Sequence, residues 1–100
     1  MPTIFEYFGI IFKFYSNEHE PIHVHVLKGG CETIFELILE KGQLVEIRQR
    51  NKKGVDPLSG KDLATAKQFV EKYADNIITK WINFFILKKD IRKTTIKTKL

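Results

Sequence analysis

The chain has 100 residues, 43% of them apolar with eight phenylalanines, and a formal charge of +5. That length makes one domain able to bury a core without disulfides or metals, and that apolar content excludes a disordered chain. A lone cysteine, Cys31, excludes an internal disulfide, and the absence of a signal peptide or a spanning apolar run points to a soluble cytoplasmic protein with no membrane contact.

The charge is unevenly placed. Residues 1–87 hold 11 Lys and Arg against 11 Asp and Glu, whereas residues 88–100 hold six against one, Asp90. The domain is therefore read as residues 1–87, with 88–100 a basic, mobile tail. A basic tail on a neutral body holds phosphate backbone loosely and in a salt-sensitive way, and does not make the fold a reader of nucleic acid. A second basic run, Arg48, Arg50, Lys52 and Lys53, lies where a strand should give way to a loop, from where it could join the tail in one patch.

In chain order, Thr3 to Phe8 reads as a first strand and Gly9 as a tight turn or bulge. Ile10, Phe12 and Phe14 then alternate with Ile11, Lys13 and Tyr15, the period of two of a half-buried strand. Pro21 opens a third strand, Ile22 to Leu27, ended by Lys28-Gly29-Gly30. Cys31 follows as a partly buried thiol, since no sequence cue gives it an activating partner. Glu32 to Leu39 and Gln43 to Gln49 are two further strands, joined at Glu40-Lys41-Gly42 as a hairpin with glycine in the left-handed position.

Residues 51–59, with Gly54, Asp56-Pro57 and Ser59, form a loop. Ser59 followed by Asp62 resembles a capping box with Asp in place of Glu. From there Leu63, Ala66, Val70, Tyr73, Ile77, Trp81 and Phe84 recur at intervals of three or four, one apolar helical stripe. Asp75-Asn76 interrupts it and could cap a second helix, so one bent helix and two helices both fit. The fold class predicted is α+β: a five-stranded antiparallel meander covered by one or two C-terminal helices, with Trp81, Phe84 and Phe85 as core.

The chemistry is concentrated in Ser16-Asn-Glu-His-Glu-Pro-Ile-His-Val-His-Val26, which holds all three histidines. On a strand His23 and His25 share one face, with Ile22, Val24 and Val26 on the other. The apolar set should face the helices, and the histidines should face outward or into a groove. His19 precedes Pro21 on a loop that can fold back toward them. Three chemistries fit this pattern. The rings can pack and hydrogen-bond without reacting, which ranks first. Ranked second, His23 and His25, with His19, Glu18 or Glu20 completing a tetrahedral set, can hold a divalent metal such as zinc. Ranked third, His23 and His25 can act as acid and base without a metal, with help from Lys or Arg. No glycine-rich phosphate loop, paired-cysteine zinc pattern or serine-nucleophile motif is present.

Taken together, Met1-Pro-Thr-Ile, Phe14-Tyr-Ser-Asn-Glu-His, Pro21-Ile-His-Val-His-Val and Trp81-Ile-Asn-Phe-Phe85 resemble the DUF4160 family of small bacterial proteins over residues 1–87. By this resemblance His19, Pro21, His23, His25 and Trp81 fall on characteristic positions. Ile22 stands where the family usually has a second proline, and the segment from Lys88 runs past the usual family end. The family carries no established activity. Its members resemble components of two-gene modules, often beside another short protein of the DUF2442 family, which implies a toxin–antitoxin-like pairing.

Three functional readings follow. The leading one is a small protein that binds a partner protein within such a module, with the histidine region as functional surface. The second is a compact ribonuclease-like or metal-dependent enzyme using His23 and His25. The third is a weak, non-specific nucleic-acid binder through the Lys88–Leu100 tail. An exposed edge strand also makes a homodimer possible.

Overall fold

The computed structural model describes residues 2–15 and 21–100. β1 (Thr3–Tyr7), β2 (Ile10–Lys13), β3 (Ile22–Lys28), β4 (Cys31–Glu40) and β5 (Gln43–Asn51) form the antiparallel meander that the alternation predicts. Two-residue turns join three of the pairs. In two of them, Phe8-Gly9 and Lys41-Gly42, a residue other than glycine holds the first left-handed position, with φ of 44° at Phe8 and 52° at Lys41.

The sheet differs from the prediction at its edge. A sixth strand, β6 (Thr94–Ile96), runs parallel to β1, giving the order β5-β4-β3-β2-β1-β6 and a mixed sheet. It comes from the basic segment expected beyond the domain. Within the charges, Thr94-Thr95-Ile96 is a short β-branched run, and side chains from the body anchor it. Lys80 donates to the Arg92 carbonyl (2.8 Å) and the Thr94 hydroxyl (3.2 Å), while Lys93 pairs with Glu6 at 3.0 Å. Arg48 and Arg50 do not join the C-terminal segment in one patch, because they lie on β5, the edge of the sheet opposite β6. Moreover β5 continues through Asn51, and its Arg48 and Arg50 are paired with Glu46 (3.1 Å) and Glu36 (3.0 Å).

Two helices cover one face: α1 (Gly60–Lys72) and α2 (Ala74–Trp81), followed by a π-helical turn over Ile82–Ile86. The break falls at Tyr73, so Asp75 lies in the first turn of α2 rather than capping it. Ser59 occupies the position before α1 without a side-chain capping bond, and Asp62 pairs with Lys28 on β3 at 3.1 Å. Phe12 stacks on Phe69 of α1 with centroids 4.2 Å apart, and Val26 lies opposite Phe12 in the register. Phe12, Val24, Val26, Phe35 and Leu37 therefore share the helix-facing side, and all are buried.

The loop after β5 is tied back to β4. The Glu32 N–H donates to the Asp56 carbonyl (2.9 Å), and the Leu58 N–H donates to Thr33 Oγ1 (2.9 Å). Thr33 is fully buried. Thr33→Val keeps the shape and leaves that amide without an acceptor, so urea unfolding should show a loss of about 1–3 kcal/mol. No helix among the described residues is long and apolar enough to cross a membrane.

Candidate functional site

The chemistry lies on the face of the sheet turned away from α1, with Trp81 of α2 reaching its His23 end. Register places His25 opposite Lys13 on β2 and Ile34 on β4, and His23 opposite Glu36. Tyr15 follows Lys13 by two residues, and Glu32 precedes Ile34 by two, so both project to this face beside His25.

The central group is Glu32, only 4% exposed. One of its oxygens lies 2.8 Å from His25 Nδ1. The Tyr15 hydroxyl donates to both oxygens at 3.1 and 3.2 Å. Lys52, on the loop after β5, brings Nζ within 3.2 Å of the carboxylate and 3.4 Å of the Tyr15 hydroxyl, with its charge 4.7 Å from the Tyr15 ring centroid. A carboxylate only accepts, so His25 carries its proton on Nδ1. The same logic applies to His23, whose Nδ1 lies 2.7 Å from the Pro21 carbonyl. In the neutral form of either ring Nε2 is therefore the basic nitrogen. The imidazole centroids are 5.3 Å apart, Tyr15 meets His25 edge-on at 4.1 Å, and Trp81 lies 5.3 Å from His23.

Electrostatics fixes the charge states. Burial on its own would raise the Glu32 pKa, but hydrogen bonds from His25, Lys52 and Tyr15 outweigh it and hold the carboxyl below its ordinary range. Burial, reinforced by the Glu32 charge, pushes the Tyr15 phenol up against the opposing pull of Lys52. Burial lowers the Lys52 ammonium, yet its bonds to Tyr15 and Glu32 more than compensate, and its pKa is raised. At neutral pH the cluster thus holds a carboxylate, a neutral phenol and an ammonium.

Of the two placements expected for the histidines, outward or into a groove, burial removes the first: His23 is 6% and His25 5% exposed, both enclosed by their neighbours. The sequence signal of alternation placed them on the right face but could not show what covers it. His19, with Glu18 and Glu20, lies outside the described residues. Among the described residues no group of three or more His, Cys, Asp or Glu side chains is placed to hold a metal ion. Tyr15, Glu32 and Lys52 were not singled out as partners of the histidines. The Gly29-Gly30 turn fixes Lys28 opposite Cys31, hence Leu27 opposite Glu32, and counting back along that hairpin would have brought Glu32 diagonally to His25.

These features define a small α+β protein with helices packed mainly on one face of its sheet and a buried histidine–carboxylate network on the other. The family model described as Domain of unknown function (DUF4160) matches residues 9–82, and the chain belongs to that family. Comparison with curated proteins and with solved structures gives no match.

Proposed function

We propose that the protein works with a partner protein, as one member of a toxin–antitoxin-like pair, and that the face bearing the histidine network is its functional surface. The observation that supports this is the Tyr15–His25–Glu32–Lys52 network. A buried carboxylate joined to three other side chains holds the surface above it in one geometry, and pre-organisation of that kind lowers the cost of recognition. Arg48, Arg50 and Glu36 flank the network, a mixed-sign surface suited to a polar, selective contact rather than to nucleic-acid backbone.

A second reading is favoured by one distance. The 2.8 Å contact between His25 and Glu32 is the carboxylate–imidazole arrangement that orients a general base, and His23 supplies a second imidazole beside it. In that reading Nε2 of neutral His25 takes a proton from the attacking 2′-hydroxyl of RNA, Nε2–H of a protonated His23 gives one to the leaving oxygen, and Lys52 balances the charge on phosphate.

Expression of the wild type and of His25→Ala in a bacterial host, alone and with a co-expressed DUF2442-type partner, separates the two. Binding predicts a stable complex by size-exclusion chromatography with light scattering, weakened by His25→Ala, and no cleavage of added RNA. Catalysis predicts growth arrest and RNA cleavage that His25→Ala reduces by about a hundredfold or more. A protein that neither forms the complex nor cleaves RNA disproves both. Trp81, the sole tryptophan, is close enough to His23 for its fluorescence to report that the site stays folded in the variant.

A further inference from the structure

On the helix side, at the end of the molecule where the β1–β2 turn meets α1, lies a cavity of about 390 Å³. Three lysines from separate parts of the chain line it: Lys28 from β3, Lys61 from the first turn of α1, and Lys99 from the C-terminal segment. Lys28 is paired with Asp62, while Lys61 and Lys99 have no ion pair among the described residues. The cavity therefore has a net positive charge, and part of the basic excess of residues 88–100 is delivered to it. β6 makes that delivery possible by fixing the direction of the segment, and the Leu100 N–H donates to the Tyr7 hydroxyl at 3.2 Å.

The rim is aromatic. Phe8 is 55% exposed and stands edge-on to Tyr7, with ring centroids 4.7 Å apart. Its φ of 44°, followed by 85° at Gly9, is that of a two-residue hairpin turn in which Asn or Gly is the favoured first residue. A phenylalanine here is strained, and beyond its edge contact with Tyr7 more than half of it is open to water, so neither backbone preference nor burial accounts for the exposed face of the ring. A bound aromatic group lying on the ring would.

We propose that this cavity binds a nucleoside phosphate, its base stacked on Phe8 and its phosphate held by Lys61 and Lys99, with Thr65 within the cavity as a hydroxyl partner. The volume falls in the range of ordinary small-ligand sites and suits one nucleotide unit. A free nucleotide and the exposed end of a single strand present the same chemistry, and both are tested. The site is separate from the histidine network and does not depend on the reading given to it.

Phe8→Asn makes the decisive variant, because it gives the turn its favoured Asn-Gly sequence and should leave the thermal midpoint unchanged or higher. Calorimetric titrations would use adenosine 5′-monophosphate, inorganic phosphate and a short single-stranded RNA, with wild type, Phe8→Asn and the double variant Lys61→Ala/Lys99→Ala. Wild type should bind the nucleotide more tightly than phosphate. Phe8→Asn should weaken nucleotide binding by roughly fivefold or more, the loss expected for one base–aromatic stack. The lysine variant should weaken both ligands and flatten the salt dependence. Binding of the RNA alone, weakened by both variants, supports the same pocket with a strand end as its occupant. Failure of the wild type to bind nucleotide or RNA at millimolar concentration overturns the proposal, as does binding that Phe8→Asn leaves intact.

Discussion

Phe69→Ala is expected to cost about 3–5 kcal/mol and to lower the melting temperature by at least about 12 °C. Phe69 is fully buried in α1, and its ring touches Phe12 (4.2 Å), Tyr73 (4.5 Å), Tyr7 (5.3 Å) and Phe5 (5.4 Å). One side chain thus joins β1, β2 and the break between the helices. Its removal leaves a cavity bordered by rings, which cannot collapse into it without leaving their rotamers. A native domain has about 5–15 kcal/mol in hand, so the variant should be marginal by urea titration. Ile82→Ala, at a position 37% exposed, serves as the comparison and should change stability far less.

Glu32→Ala should be the most damaging change on the other face, at about 3–5 kcal/mol, the usual cost of removing one member of a buried pair. It strips the acceptor from His25 Nδ1, Tyr15 and Lys52 in a single step. The pH dependence has a definite sign. Because the Glu32 pKa is lower in the folded chain than in the unfolded one, its contribution is complete above the unfolded value. It is lost as pH falls through the depressed folded value, where the unfolded chain takes up the proton first. Wild type should therefore destabilise steeply on the acid limb, and Glu32→Gln should be less stable at neutral pH but shallower there. Equal acid slopes in urea titrations of the two proteins would show that the carboxylate is not held in its charged form by these partners.

Two parts of the histidine region have different origins. The face shared by His23 and His25 follows from alternation along β3, which is local and independent of the partner strands. The identity of their neighbours follows from pairing between strands, and a single strand's sequence does not contain it. Glu32 is seven residues from His25 and Lys52 twenty from Glu32, and Lys52 reaches the site through the loop that Asp56 and Leu58 tie back to β4. The family assignment joins residues 9–82 to relatives of the same pattern without supplying a reaction, so the chemistry has to be read from these contacts.

By itself the sequence determined the first five strands, their turns and the helical stripe, because periods of two and of three to four are written in neighbouring residues. It also located the histidines and the excess charge. Tertiary structure alone decided the sixth strand, the burial of the imidazoles and the placing of Arg48 and Arg50 on the edge opposite β6. Each of these depends on which strand pairs with which, across separations as long as that between Glu6 and Lys93. A run such as Thr94-Thr95-Ile96 becomes a strand only when β1 offers an open edge and Lys80 anchors the approach, and no local pattern encodes that offer.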